Sequence, residues 1–186
     1  MDEWFYKRRG FRVYLRRPRR SDWPEYEIYA RQSAAHLKPW VYPITSKEKY
    51  DAYAARANSD RHQSFYICQI ESDEILGVIN FNEIVRGCLH GCFSGFYLFA
   101  HGAGVGYMRE GLGLALQFGF TELKLHRVEA NIQPGNKRSI ALVKGLGFRL
   151  EGFSPRYLKI GPTWCDHERW AIIKEEFKFS QVLRKR

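Results

Sequence analysis

Phe11, Val13 and Leu15 alternate with Arg12, Tyr14 and Arg16, the period-two pattern of a half-buried strand, and Pro18 ends it. Ser21 stands where it can cap a helix running to about residue 33, with Trp23, Glu25 and Ile28 in its early turns. Residues 36–43, HLKPWVYP, form a loop, because Pro39 and Pro43 exclude a helix there. Its aromatic content suits a recognition surface and, equally, an anchor packed on the core. Ser46 caps a second helix to about residue 58, with Tyr50, Tyr53, Ala54 and Ala57 on one side. Residues 64–71 and 75–84 read as strands around a Ser72-Asp73 turn, and residues 89–99 complete an antiparallel meander. A glycine-rich stretch then opens a helix from near Tyr107 to about Leu123, with Met108, Leu112, Ala115, Leu116, Gly119, Phe120 and Leu123 on one side. Gly111, Gly113 and Gly119 cost about 1 kcal/mol each against Ala in that helix, so it packs closely on the sheet or is weak. Residues 127–132 alternate as a strand that Pro134-Gly135 ends, and Ser139 opens a short helix that stops at Gly147. Residues 148–160 and 164–173 flank Gly161-Pro162 as a long hairpin. The order is β-α-α-β-β-β-α-β-α-β-β, an α/β (α+β) chain of about seven strands.

Length bounds this pattern to one domain, residues 1–186, with a basic N-terminal segment 1–20 that includes the first strand. Apolar residues make up 45% and aromatics 16%, enough to fill a sizeable core. No apolar run approaches the ~20 residues of a membrane span. Residues 1–10, MDEWFYKRRG, lack the apolar centre of a signal peptide, so a cytoplasmic location is expected. The cluster Cys88-Leu89-His90-Gly91-Cys92 has the look of a metal site. On a strand, however, same-face residues stand ~6.6 Å apart, too far to share a zinc with bonds of ~2.0–2.3 Å. Reduced thiols and no metal are expected. The net charge of +10 is uneven: Lys7, Arg8, Arg9, Arg12, Arg16, Arg17, Arg19 and Arg20 precede any further acid, and Arg184, Lys185 and Arg186 end the chain. This is either a solvated surface or an electrostatic footprint for RNA or a ribonucleoprotein. No RNP1-type aromatic motif accompanies it, so sequence-specific nucleic-acid binding is not expected.

Residues 95–108, GFYLFAHGAGVGYM, carry the clearest chemistry: an apolar strand empties into a loop in which Gly102, Gly104 and Gly106 alternate, and a helix follows. Successive N–H groups and the positive end of the helix favour an anion, and a phosphate-bearing ligand is the natural guest. A Walker loop needs GxxxxGK and Ser or Thr, which is absent, and a dinucleotide fingerprint needs Gly where Arg109 stands. In the register Ala103-Gly104-Val105-Gly106-Tyr107-Met108 the loop resembles the Arg/Gln-x-x-Gly-x-Gly/Ala loop of the GNAT family of acetyl-CoA-dependent N-acetyltransferases. It departs from that pattern twice, with Ala103 for Arg or Gln and Met108 for a small residue. A plain strand–loop–helix with packing glycines is the alternative.

From about Gly77 the chain also resembles the RimJ-type branch, which acetylates the N-terminal alanine of a ribosomal protein. The resemblance rests on Val78-Ile79-Asn80-Phe81, Val85-Arg86-Gly87, His90 and Cys92, Gly106-Tyr107-Met108, His126-Arg127 and Ala130-Asn131. Pro134, Asn136-Lys137-Arg138-Ser139, Leu146-Gly147-Phe148, Glu151-Gly152, Tyr157-Leu158 and Asp166-His167 continue it, and upstream Leu37-Lys38-Pro39-Trp40 fits as well. It implies a mixed, mostly antiparallel sheet with helices on both faces, and acetyl-CoA as co-substrate. Main-chain groups of Tyr97 and Leu98 would pair with the pantetheine arm, amides of residues 103–108 would hold the diphosphate, and Asn136 would contact the pantetheine or thioester end. Ser139 would act as acid for the leaving thiolate, although capping alone would also explain it. An α-amine titrates near ~7.7–8.0 and a lysine near ~10.4, so an N-terminal acceptor needs only a weak base. Glu83 and His90 are the candidates for that base, each equally readable as a surface carboxylate or a packed imidazole. At Leu158 a sister branch has a carboxylate that is missing here, and a structural role is expected of Asp166 and His167. The acceptor site would lie between Trp40 in its loop and the hairpin from Tyr157 to Asp166. The expected function is transfer of acetyl to the N-terminal alanine or serine of a ribosomal protein, with possible contact of the basic surface to the ribosome and none to a membrane. A GNAT acting on a small amine, or a ribosome-associated protein with a degenerate acetyl-CoA site, stands as the alternative.

Overall fold

A computed structural model describes residues 9–182; Lys7, Arg8 and the basic tail residues Arg184, Lys185 and Arg186 lie outside the described residues. Among them, strands β1 (Val13–Arg16), β2 (Gln63–Gln69), β3 (Ile75–Val85), β4 (Gly91–Leu98), β5 (Arg127–Ile132), β6 (Arg149–Ile160) and β7 (Thr163–Ile173) form one sheet. The strand order is β1-β2-β3-β4-β5-β7-β6, and every neighbouring pair is antiparallel except β4 with β5. The helices are α1 (Trp23–Gln32), α2 (Ala34–Leu37), α3 (Lys47–Arg56), α4 (Tyr107–Thr121), α5 (Lys137–Gly145) and α6 (Phe179–Val182).

Strand alternation divides the core in two. On one face Val13, Leu15, Phe65, Ile67, Ile79 and Phe81 pack with Leu112, Leu116 and Phe120 of α4 and with Ile140 and Val143 of α5. The glycines of α4 reflect close packing, since a Cβ at Gly111 would stand 2.7 Å from Ile67 Cδ1 and one at Gly113 would strike Val182. On the other face Tyr14, Tyr66, Val78 and Phe99 pack with Tyr26 and Ala30 of α1 and with Tyr50 and Tyr53 of α3. The phenols there find partners: Tyr26 with Tyr97 at 3.0 Å, Tyr50 with Tyr66 at 2.6 Å, and Tyr53 donating to Asn80 Oδ1 at 3.1 Å. Burial pushes Tyr26 and Tyr97 up from the ordinary phenol range, so they stay neutral donors.

Several boundaries differ from the sequence reading. A short 3-10 turn over Arg20–Asp22 precedes α1, and it is Asp22, not Ser21, whose carboxylate takes an amide, that of Arg19 at 2.8 Å. Helix resumes over Ala34–Leu37, two residues into the expected loop, because the prolines that bar it come only at positions 39 and 43. Much of the basic segment is tied into the fold. Arg16 pairs with Asp22 at 2.7 Å, Arg17 donates to the Ala57 carbonyl at 2.7 Å, and Arg12 pairs with Glu110 at 3.1 Å. Arg19 and Arg20 remain exposed. Cys88 is exposed and Cys92 buried, both as free thiols, and among the described residues no group of three or more His, Cys, Asp or Glu could hold a metal ion.

At the start of β5, Arg127 bonds Glu129 at 2.8 Å and Glu151 of β6, and Arg149 meets Glu151 at 2.9 Å. The hydrogen bond from Arg127 is the main reason the Glu151 carboxyl lies below its ordinary range. A depressed carboxyl stabilises the fold above its unfolded value of ~4.3, and the contribution disappears as pH falls through the folded value. Glu151→Gln is therefore expected to cost about 0.5–1 kcal/mol at neutral pH. Urea unfolding should show the gap from wild type closing as pH is lowered below ~4.3, through the depressed folded value.

Candidate active site

The site begins where the parallel pair fails. Strands β4 and β5 pair at Gly91↔Arg127, Cys92↔Val128 and Phe93↔Glu129 and then part. Strand β4 follows β3 to Gly77↔Leu98, while β5 follows β7 to Ile132↔Glu168. At the base of this fork the His90 carbonyl accepts the amides of His126 at 2.7 Å and Arg127 at 3.2 Å. Beyond Phe93 one edge of β4 is open. Phe99 N–H donates back to Leu76 on the β3 side at 2.9 Å. Because amides alternate in direction along a strand, those of Tyr97 and Gly95 also point to β3, and those of Phe96 and Leu98 point into the fork. Of the residues around which main-chain pairing is expected, Leu98 and its neighbour Phe96 have their amides on the open side, and Tyr97 has its amide on the β3 side. The Tyr97 ring is turned to the opposite core, against Tyr26.

Past Leu98 the chain makes a 3-10 turn over Ala100–Gly102, in which the Ala103 amide donates to the Ala100 carbonyl at 3.3 Å and is not presented to a ligand. Gly104 and Gly106 have φ of 88° and 90°, the left-handed region that glycine adopts without penalty. Gly106 is the N-cap of α4 and brings no side-chain cap, so the first-turn N–H groups and the positive helix end face outward. Met108, bulky where the GNAT loop has a small residue, turns its side chain into the core and leaves the loop clear.

The cleft within the fork is lined by strand residues Asn82, Phe93, Ser94, Phe96, Asn131 and His167, with Trp40 and Val41 from the loop before α3, Asn136 and Ser139 from α5, and Leu158 and Ile160 from β6. Trp40 crosses to the turn after β5, where a Cβ at Gly135 would stand 2.9 Å from its ring. Asn136, not Ser139, caps α5: its Oδ1 accepts the Ser139 amide at 3.2 Å, and the helix begins at Lys137. The sequence pattern pointed to Ser139, a cap former three positions later, and placed the start of the helix too late. Ser94 Oγ and Asn131 Oδ1 are buried without a protein partner among the described residues. An unmade bond of this kind costs about 1–3 kcal/mol, and a bound polar ligand removes that cost.

His167 is 2% exposed and lines the cleft. Its Nδ1 lies 2.9 Å from the Cys165 carbonyl, which can only accept, so Nδ1 carries a hydrogen and Nε2 is the ring nitrogen left to accept a proton. The sequence reading gave His167 a structural role; its signal was only its place in the Asp166-His167 pair. The two expected bases lie elsewhere. Glu83 sits exposed in a β-bulge with φ 48° and is paired with Arg61. His90 has φ 43°, with Nδ1 against the Gly87 carbonyl, and serves the base of the fork through its own carbonyl. Neither lines the cleft. Asp166 is exposed and accepts the Arg156 amide at 2.7 Å, a hairpin contact, and Tyr157 stands edge-on to the His167 ring with centroids 6.3 Å apart.

An open strand edge beside a glycine loop at a helix N-terminus suits a ligand that joins an amide-rich arm to phosphates: the edge can take the arm and the loop the phosphates. The chain belongs to the GNAT acetyltransferase family, whose domain model, described as "Acetyltransferase (GNAT) domain", matches residues 12–149. It is an acetyl-CoA-dependent N-acetyltransferase. It is 34% identical to the [Ribosomal protein uS5]-alanine N-acetyltransferase of Escherichia coli over 85% of each chain. It is 32% identical to the Probable N-acetyltransferase YjcK of Bacillus subtilis over 70% of this chain and 72% of that one. Among solved structures, Mycobacterium smegmatis RimJ in complex with CoA-disulfide superposes with a TM-score of 0.84 at 27% identity, covering 91% of this chain and 87% of that one.

The cap assignment separates two roles. Asn136→Ala should lower stability by about 1 kcal/mol. Ser139→Ala should leave stability within about 0.5 kcal/mol. It should lower kcat more than it changes KM for acetyl-CoA if the hydroxyl acts on the leaving sulfur. Denaturation curves and steady-state kinetics on the two variants check this.

Proposed function

We propose that the chain acetylates the α-amine of a protein N-terminus bearing alanine or serine, on a ribosomal protein. The carrying observation is the lining of the cleft: among the described residues, none there is Asp, Glu, Lys or Arg. A polyamine would need carboxylates to match its charges; a neutral α-amine on an uncharged peptide end does not. The similarity to the uS5-alanine enzyme supports the same choice. Trp40 and Leu158, both lining the cleft, suit the small side chain and backbone of an entering terminus.

In this reading the main-chain groups of Phe96 and Leu98 pair with the pantetheine arm, and the amides of residues 104–108 hold the diphosphate. Asn136 keeps its Nδ2 as a donor toward the arm, since only its Oδ1 serves the cap. The Phe96 N–H, beside the cleft, bonds the thioester oxygen as negative charge develops on it. His167 Nε2 takes the proton that the amine loses as its lone pair forms the C–N bond. Ser139 Oγ gives a proton to the sulfur as the C–S bond breaks, and solvent restores it. A thiol near ~8.5 needs no stronger acid. An α-amine is several-hundred-fold more available unprotonated at neutral pH than a lysine, so one buried imidazole is base enough. Among the described residues, exposed Arg19 and Arg20 are cations of the basic segment that could steer an approach to the ribosome.

Mass spectrometry of short peptides tests the acceptor: free N-terminal Ala or Ser should be acetylated, and the same peptides blocked at the N-terminus but containing lysine should not. Preference for the blocked lysine peptide or for spermidine would overturn the assignment. His167→Gln should lower kcat/KM by about 10²–10⁴-fold. The deficit should shrink as pH rises, because hydroxide then takes the proton that the attacking amine loses.

A further inference from the structure

The loop lacks the side-chain cation or amide that position 103 provides elsewhere in the family, and the fold places another cation at the same loop. Arg12, one residue before β1, reaches across the sequence to α4. Its Nε donates to Glu110 Oε2 at 3.1 Å and its Nη1 to the Val105 carbonyl at 2.8 Å. Its Nη2 lies against Gly106, 3.3 Å from where a Cβ would stand, and its guanidinium carbon is 5.1 Å from the Tyr107 ring centre. Gly106 therefore answers two demands, a φ of 90° and room for this guanidinium. Half of the Arg12 side chain is exposed, on the loop side, while Glu110 is buried beneath it.

A guanidinium at the positive end of a helix is unfavourable by itself. Glu110 offsets part of that charge, but its carboxylate is shared with the amides of Arg12 at 2.8 Å and Val13 at 3.4 Å. An anion bound over residues 104–108 would complete the balance. A guanidinium suits that position because its fork can hold the Val105 carbonyl and a phosphate oxygen at once, which an ammonium does less well.

Resting on the acetyl-CoA assignment, we infer that Arg12 supplies the diphosphate contact missing at Ala103, so that the first strand, and not the loop itself, provides the side-chain half of the phosphate site.

Calorimetric titration with CoA decides this. Arg12→Ala should weaken CoA by about 10–30-fold, and Arg12→Lys by less, since charge-assisted bonds exceed neutral ones. KM for acetyl-pantetheine, which has no diphosphate, should stay unchanged in both variants. Ala103→Arg should recover most of the lost CoA affinity in the Arg12→Ala background and add little to wild type. Arg12→Ala binding CoA as wild type does, or losing CoA and acetyl-pantetheine in equal measure, would overturn the inference. Should Arg12→Ala not fold, the Lys variant and the Ala103→Arg comparison carry the same decision: equal gains from Ala103→Arg in the Lys variant and in wild type would also overturn it. A wild-type chain without affinity for CoA would instead remove the acetyl-CoA assignment beneath it.

Discussion

A parallel pairing that stops after three residue pairs, Gly91↔Arg127 to Phe93↔Glu129, is the constraint on which the rest of the molecule depends. Backbone amides in a protein interior must be bonded to something. By parting from β5, β4 leaves the amides of Phe96 and Leu98 facing a gap that only a ligand with its own amide groups can fill as a strand would. The same divergence opens the cleft where Ser94 and Asn131 hold buried polar atoms without partners among the described residues. It also directs the end of β4 into the glycine loop at the start of α4. The long axis of the donor is thus laid out by one departure from regular pairing.

Keeping a sheet forked requires that its closed end be firm. The His90 carbonyl takes two amides across the base, and Arg127, the first residue of β5, is held by Glu129 and by Glu151 of the hairpin. The acceptor side is held differently. Tyr26, Tyr50, Tyr53, Tyr66 and Tyr97 bury their rings and pair hydroxyls between helices and strands, which fixes α1 and α3 against the sheet without placing a charge there. Ile44 donates its amide to Tyr26 at 3.1 Å, so the loop carrying Trp40 and Val41 is anchored to that cluster.

Most elements were legible because each strand alternates and each helix repeats within a short window: residues 127–132 were bounded in the sequence as they stand in the fold, and so was the start of α4. The glycine loop was legible because conformational demands leave glycine in place. What was hidden is non-local. The fork depends on which strand neighbours β4, and no pattern within β4 states that. His167 could not be told from Asp166 as a site residue, because only the strand's placement shows which of the pair faces the cleft. Glu83 and His90 had suitable chemistry at strand ends, but their positive φ and close partners show that turn geometry explains them. The cap of α5 was read as Ser139, but the Asn136 side-chain carbonyl accepts the Ser139 amide, so the helix starts earlier than its pattern suggested.

The basic segment was the least legible, and the reason is general. A run of arginines reports charge but not where its partners lie. The partners of Arg12 are Glu110 and Val105. Those of Arg17 are Ala57 and Gln63, the latter at 2.5 Å. All are far off in the chain. Arg12 and Arg17 thereby fasten β1 to α3, α4 and the loop before it, while Arg19 and Arg20 stay exposed. An arginine so fastened is worth more to a ligand than a solvated one, because its side-chain freedom, worth up to ~2 kcal/mol, is already restricted before the ligand arrives. The same fastening makes the edge strand part of the donor site's framework, although it lies three strands away from the fork.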